Sequence, residues 1–155
     1  MSVHTPETVV VLMADDDEDD REMAAEAFAE SHLVNDLRFV TDGAELLDYL
    51  YQRNEFADPA LSPRPGIILL DLNMPRMNGH EAMAVIKKDP DLRSIPIVVL
   101  TTSQAEADIL ASYNLGANSF ITKPVRFNEL VRVLQTLGDY WLQIVRLPGK
   151  GERHD

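Results

Sequence analysis

The sequence contains no cysteine, which excludes disulfide bonds, thiol catalysis and metal sites built on thiolates. It also has no apolar run approaching the roughly 18 residues that a membrane-spanning helix needs. The first eight residues lack the charged and apolar regions of a signal peptide. We therefore expect a cytoplasmic protein with no membrane partner.

Basic residues are scarce, with 14 lysines and arginines against 26 acids and a formal net charge of -12. Such a charge repels phosphate backbones, so nucleic acid is not an expected partner. It favours cations or basic protein surfaces instead. The length of 155 residues and the hydrophobic content of 45% are typical of one globular domain with a full core.

The stretch from Ile67 to Pro75 organises the rest of the chain. Its four leading apolar residues predict a short strand that is buried on both faces. The strand ends at Asp71, and Pro75 with Asn78 then turns the chain away. A single aspartate after a strand is most often part of a turn. The polar residues at the ends of the other strands point to a different interpretation.

Five apolar runs alternate with five segments of helical periodicity, which predicts a parallel sheet with helices on both faces. The fold class is α/β, a doubly wound flavodoxin-like (βα)5 sheet for which we assume the strand order 2-1-3-4-5. Asp42 with Glu45, and Ser103 with Glu106, resemble capping boxes that open two of the helices, and Asn78 with Glu81 opens another. The predicted strands are Thr8–Ala14, Leu37–Val40, Ile67–Asp71, Ile95–Leu100 and Ser119–Thr122.

Polar residues follow four of these strands, and parallel strands bring their carboxyl ends to one edge. Asp15 and Asp16 follow the first strand, Asp71 ends the third, and Thr101 and Lys123 follow the last two. Three carboxylates at one edge repel each other and favour a hard cation such as Mg²⁺. An aspartate can attack phosphorus to give an acyl phosphate, with an ammonium and a hydroxyl available to the phosphoryl oxygens.

These motifs together resemble the receiver domain of two-component response regulators. The resemblance covers about residues 8 to 137 and rests on the segments Ala14–Asp16, Leu69–Pro75, Thr101–Ser103 and Lys123–Pro124. It implies a receiver domain over residues 8–146 that includes an extended C-terminal helix. Residues 1–7 are then an N-terminal tail, and residues 147–155 a disordered tail.

The resemblance also implies a role for each matching residue. Asp71 is the expected phosphoacceptor, assisted by Thr101 and Lys123, and Asn73 lends its backbone carbonyl to Mg²⁺. The same hydroxyl and the aromatic ring of Phe120 form the expected switch. For the acid pair of the metal site, the six consecutive acids from residue 15 to 20 allow two registers. We choose Asp15 with Asp16 over Asp16 with Asp17.

A finer resemblance concerns the partners. The proline-rich loop at residues 54–65, the Thr101–Ser103 segment and the chain from Asp139 to Pro148 are similar to single-domain regulators of bacterial phytochromes. It implies a histidine kinase of phytochrome type as phosphoryl donor. No effector domain fits after residue 137, so we expect output through protein contacts, either with a downstream phosphotransfer protein or within an oligomer. We expect no enzymatic activity beyond the protein's own phosphorylation and dephosphorylation.

The predicted last helix, residues 126–145, carries more apolar positions than one stripe can hold. Its final turns would expose a patch that favours a homodimer. The alternative is that this end folds back onto its own domain. The expected interface residues are Tyr140, Trp141, Ile144 and Val145.

Three other functions share some features with this sequence. A phosphatase of the haloacid-dehalogenase type also uses a nucleophilic aspartate, but it needs a second aspartate where this chain has Asn73. A flavodoxin-type cofactor protein would present hydroxyls and amides after its first strand, whereas this chain presents carboxylates. A receiver-like dimeric binding module without phosphotransfer is compatible with the sequence.

Overall fold

The computed structural model describes residues 9–30, 35–101 and 119–122, together with positions 131, 132 and 135. The predicted helix after Ser103, Lys123, and most of the predicted last helix with its interface residues lie outside these described residues. The strands are β1 Val9–Ala14, β2 Asn35–Val40, β3 Ile67–Asp71, β4 Ile97–Thr101 and β5 Ser119–Thr122. The helices are α1 Glu18–Glu30, α2 Gly43–Leu50 and α3 Gly79–Lys88.

The five strands form one parallel sheet in the order β2-β1-β3-β4-β5, which confirms the predicted fold class. β1 has β2 on one side and β3 on the other, with Ala14 opposite both Val40 and Leu70. The winding direction therefore reverses between β1 and β3. Asp71, the last residue of β3, stands opposite Leu100, and Thr101 follows directly at the end of β4. The carboxyl ends of these strands share one edge.

The apolar residues of β3 account for its position at the centre of the sheet. Every residue of β3 is buried, including Asp71, as expected for a parallel strand covered on both faces. The core contains side chains from β1, β2, β3, β4, α2 and α3, with Leu12, Ile68, Leu70 and Ile97 fully enclosed. Burial of such side chains is the main favourable contribution to folding.

β4 begins two residues later than predicted, at Ile97 and not at Ile95. The reason is Pro96, which has no N–H to donate to a neighbouring strand. Its carbonyl still accepts a hydrogen bond from the Ile68 N–H at 2.9 Å. This bond belongs to the pairing of Ile68 with Ile97, the first pair of β3 with β4.

Asn78 with Glu81 opens α3, as predicted, and the structure shows a complete capping box there. The Asn78 side chain accepts from the Glu81 N–H at 2.9 Å, and the Glu81 side chain accepts from the Asn78 N–H at 3.0 Å. At α2, Asp42 accepts from the Glu45 N–H at 2.8 Å, but Glu45 reaches back to the Thr41 N–H instead of that of Asp42. The predicted reciprocal box at α2 is thus displaced by one residue.

The chain divides into two compact units. The first unit, residues 1–21 and 34–124, holds the sheet, α2, α3 and the start of α1. The second unit, residues 22–33 and 125–155, is described mainly through the rest of α1, where Ala24, Ala27 and Phe28 are buried and Met23 is only half-buried. Among the described helices, none has both the length and the apolar character to cross a membrane.

Gly79 makes the close approach of α3 to the end of β3 possible. A Cβ atom added to Gly79 would stand 2.5 Å from the Asp71 carbonyl oxygen and 2.8 Å from the Leu72 Cα. Both are backbone atoms, so neither can rotate away. We expect Gly79→Ala to lower the free energy of unfolding by about 1–3 kcal/mol, as measured by urea denaturation.

The matched control is Ala84→Gly, because Ala84 is exposed on the same helix. This change measures what alanine is worth relative to glycine in α3, about 1 kcal/mol in favour of alanine. If the helix preference decided the result, Gly79→Ala would be as stable as the wild type or more stable. That outcome would contradict the proposed steric role of Gly79.

Candidate metal centre

Three carboxylates meet at the carboxyl edge of the sheet. One oxygen from each of Asp15, Asp16 and Asp71 can be chosen so that all three atoms lie within 4.8 Å of one another. Asp15 and Asp71 are almost fully buried, with 0% and 3% of their surface exposed, whereas Asp16 is exposed. Two carboxylates of the cluster are therefore buried, and the third faces solvent.

Asp15 is held by the extension of β1. Its N–H donates to the Val40 carbonyl at 3.0 Å, which prolongs the β1–β2 ladder by one bond. Its own carbonyl accepts from the Arg21 guanidinium at 2.8 Å, and its Oδ1 accepts from the Asp17 N–H at 2.9 Å. Backbone and side chain of Asp15 are thus both fixed.

Within the acidic run, Asp17 has a different role from Asp15 and Asp16. The Asp17 carboxylate accepts from the N–H groups of Asp19 at 2.8 Å and Asp20 at 3.2 Å, and so caps the start of α1. It is turned toward the helix, while Asp16 reaches the cluster with Asp71. Of the two registers considered for the acid pair, the structure brings Asp15 and Asp16 together with Asp71.

Asp71 is fixed by the strand that it ends and by the loop that follows. The Leu72 N–H donates to the Leu100 carbonyl at 3.1 Å, which continues the β3–β4 pairing beyond Asp71. The Asn73 N–H donates to Asp71 Oδ1 at 3.0 Å and so orients the carboxylate. The role predicted for the Asn73 carbonyl as a metal ligand stays a prediction.

The donor set fits a hard divalent cation. Bringing three negative carboxylates together is unfavourable, and the burial of two of them adds to the cost. A cation among them offsets the repulsion, and ligands that are all oxygen suit Mg²⁺ or Mn²⁺. Because Asp16 is exposed, solvent reaches the cluster from this side.

The other predicted site residues are placed only in part. Thr101 ends β4 beside the strand of Asp71, and Phe120 lies in β5 opposite Val99, both by their backbones. Lys123 lies outside the described residues, as do the four predicted interface residues of the last helix. Their roles remain predictions.

One pair near this edge was not predicted. Asp42, 6% exposed, accepts two hydrogen bonds from Arg76, at 2.8 Å to Oδ2 and 3.1 Å to Oδ1. Burial by itself would raise the pKa of Asp42, but the bonds from Arg76 and from the Glu45 N–H lower it below its usual value. The ionised form of Asp42 therefore stabilises the fold above the ordinary carboxyl pKa, and acidification removes that contribution.

The sequence matches the response regulator receiver domain family over residues 11–135. It is 40% identical to the response regulator Rcp1 of Synechocystis sp. over 139 residues, which cover 90% of this chain and 92% of that protein.

Among solved structures, too, the chain is similar to response regulators. The response regulator RPA3017 of red light signalling in R. palustris is 38% identical, with a TM-score of 0.78 over 86% of this chain and 93% of that one. The phosphorylated cyanobacterial phytochrome response regulator RcpA is 38% identical, with a TM-score of 0.76 over 88% and 95%. The Mn²⁺-bound form of Rcp1 is 39% identical, with a TM-score of 0.73 over 86% and 94%.

We expect Asp16→Asn to weaken Mg²⁺ binding and to stabilise the metal-free protein, because it removes one of three like charges. Thermal unfolding with EDTA and with added Mg²⁺ measures both effects. For the wild type, Mg²⁺ at one hundred times its dissociation constant should add about 2.7 kcal/mol of stability. The variant should gain much less at the same concentration.

Glu18→Gln is the matched control, since Glu18 is an exposed acid of the same run that is not among the three clustered carboxylates. It changes the net charge equally but should leave the Mg²⁺ effect intact. Equal losses in the two variants would mean that the acidic run binds cations only through its overall charge.

Proposed function

Because this chain belongs to the response regulator receiver domain family, we propose that it takes a phosphoryl group from a histidine kinase onto Asp71. The phosphorylated protein then signals through changed contacts with other proteins. The observation that carries this proposal is the meeting of Asp15, Asp16 and Asp71 within 4.8 Å, at the end of the central strand. A carboxylate in that position combines a nucleophile with a cation site.

The proposed chemistry is a phosphoryl transfer between two side chains. An Asp71 oxygen forms a bond to phosphorus while the phosphorus–nitrogen bond of the kinase phosphohistidine breaks, and the electron pair stays on the imidazole nitrogen. A Mg²⁺ ion held by the three carboxylates would supply positive charge to the phosphoryl oxygens. The hydrogen bond from Asn73 keeps the Asp71 carboxylate oriented during attack.

Two further residues belong to the proposal on the strength of the family pattern. The Lys123 ammonium would neutralise a phosphoryl oxygen, and the Thr101 hydroxyl would donate to another. We propose that this second bond starts the switch, in which the packing of Phe120 changes. A phosphoryl group shifts such an equilibrium only through its different affinity for the two conformations.

The relatives support a specific class of partner. RcpA is a phytochrome response regulator, and RPA3017 acts in red light signalling. We propose a phytochrome-type histidine kinase as donor and a phosphotransfer protein as one downstream partner. The receiver domain would span residues 8–146 in the cytoplasm, between tails at 1–7 and 147–155, and would act only on its own phosphorylation state.

A phosphatase of the haloacid-dehalogenase type is not supported. It would place an aspartate two residues after the nucleophile, and this chain has Asn73 there. The backbone of that residue orients Asp71, and its side chain offers no proton to a leaving group.

We expect Asp71→Asn to take up no phosphoryl group from acetyl phosphate in the presence of Mg²⁺, since the amide is not a nucleophile. Intact mass spectrometry measures the uptake. Thr101→Ala should be labelled in the same assay but should lose the change in affinity for the partner kinase, because its hydroxyl acts after the chemistry.

Asp91→Asn serves as the control, because Asp91 is an exposed acid elsewhere on the domain. It should be labelled like the wild type. Labelling of Asp71→Asn equal to that of the wild type would remove Asp71 as the acceptor. An unlabelled wild type would instead favour a binding module without phosphotransfer.

We also propose a homodimer through the end of the last helix, on the pattern of Tyr140, Trp141, Ile144 and Val145. Light scattering after size exclusion should give a dimer for the full chain and a monomer for a chain that ends at Leu137. Ile144→Asp in the full chain should also be monomeric, because it places a charge in the apolar patch.

Leu61→Asp is the matched control, since Leu61 is an apolar side chain that is 56% exposed outside this segment. It introduces the same charge and should remain dimeric. A monomeric wild type, or a dimeric Ile144→Asp protein, would show that the end of this helix is not the contact.

A further inference from the structure

The loop between β3 and α3 is tied to the start of α2 at two adjacent points. The Arg76 guanidinium donates to both oxygens of Asp42, at 2.8 Å and 3.1 Å. The Gly43 N–H donates to the Met77 carbonyl at 2.8 Å. These contacts join positions 34 residues apart in the sequence, so they are tertiary contacts and not local turn bonds.

Arg76 has an unusual backbone conformation. Its φ is 61°, in the left-handed region that residues with a Cβ rarely adopt. Such a conformation persists only where surrounding contacts impose it, and it is found frequently at functional sites. Among the described contacts, those of Arg76 with Asp42 and of Met77 with Gly43 hold the loop at this point.

The same loop is tied to the metal centre at its other end. The Asn73 N–H donates to Asp71 Oδ1 at 3.0 Å, and the neighbouring Met74 side chain is buried in the core. Only two residues, Met74 and Pro75, separate Asn73 from Arg76. Because the connecting segment is short, a displacement of Arg76 would also move the Asn73 N–H. That N–H orients the Asp71 carboxylate.

We propose that Arg76 is a positioning residue for the metal centre, which it serves by holding this loop against Asp42. The bidentate bond keeps the Asn73 N–H on Asp71 and presents the backbone at residue 73 to the cation. Arg76 touches neither the cation nor the phosphoryl group. This inference rests on the proposed function, since it assumes that Asp15, Asp16 and Asp71 bind Mg²⁺.

A direct charge effect would have the opposite sign. Arg76 is a cation in the loop that carries Asn73, so its charge by itself disfavours Mg²⁺, and its removal would tighten binding. A positioning role predicts weaker binding after removal. A role in capping α2 alone predicts a change in stability with no change in Mg²⁺ affinity. The three explanations are therefore separated by one titration.

The test compares Mg²⁺ affinity by calorimetry in the full unphosphorylated chain. Arg76→Gly removes the bond to Asp42 but relieves the left-handed backbone, because glycine adopts positive φ readily. It should keep a melting temperature near that of the wild type and bind Mg²⁺ about tenfold more weakly. Arg76→Ala should lose the same affinity and also melt lower, since it keeps the unfavourable backbone.

Asp42→Asn tests the other partner. The asparagine oxygen can still cap α2 through the Glu45 N–H, but the amide can no longer accept both bonds from Arg76. It should reproduce the loss of affinity, and the double variant with Arg76→Gly should be no weaker than either single one. Additive losses would mean that the two residues act separately.

Two remote variants serve as controls. Asn54→Gly relieves a similar left-handed residue, with φ of 57°, and Arg53→Ala breaks the exposed ion pair with Asp48 at 2.8 Å. Neither should alter Mg²⁺ affinity. Hydrogen exchange supplies a second measurement, because the Asn73 amide should exchange faster in Arg76→Gly even without metal.

The outcomes distinguish this inference from the proposed function. Normal Mg²⁺ binding by the wild type with unchanged or tighter binding by Arg76→Gly overturns the positioning role and leaves the metal centre intact. A wild type that binds no Mg²⁺ overturns the metal centre, and the assigned role of Arg76 with it. Unchanged exchange at the Asn73 amide in Arg76→Gly also overturns the inference.

Discussion

Three carboxylates that repel each other are held together at one edge of the sheet. Their oxygens lie within 4.8 Å, and two of the three residues are almost completely buried. Parallel strands create this situation, because β1 and β3 are neighbours and both end at the same edge. Backbone N–H groups from Asp17 and Asn73 offset part of the unfavourable charge. Each bond of this kind places the positive end of a backbone N–H dipole against a carboxylate oxygen.

The geometry of the cluster is set by buried residues below it. β3 is apolar from Ile67 to Leu70 and buried along its whole length, so its register against β1 and β4 is strongly specified, and with it the position of Asp71. Gly79 lets α3 begin against the backbone of that strand, and its N–H donates to the Leu72 carbonyl at 3.1 Å. The loop between β3 and α3 is therefore short and fixed at both ends. A change in the packing of the core next to this loop would displace the Asp71 carboxylate.

The sequence predicted the features that depend on local pattern. Apolar runs identified the strands, and the helix start at Asn78 was found because Asn78 and Glu81 lie within one helical turn. The later start of β4 was missed because a proline inside an apolar run does not show where pairing begins. The Arg76–Asp42 pair was missed for a different reason: its partners are 34 residues apart, and nothing near either one signals the other. Asp42 was predicted to cap α2, but its bond with Arg76 was not predicted.

The acidic cluster also explains why phosphorylation at Asp71 would change this protein. A phosphoryl group adds negative charge and three acceptor oxygens where two other carboxylates already lie within 4.8 Å. The added charge must be offset by donors or cations from neighbouring strand ends, and Thr101 ends the strand next to Asp71. In the proposed switch the Thr101 hydroxyl would move toward the phosphoryl oxygens and would carry the change into β4. The expected response follows from electrostatics, because added negative charge needs further donors or cations nearby.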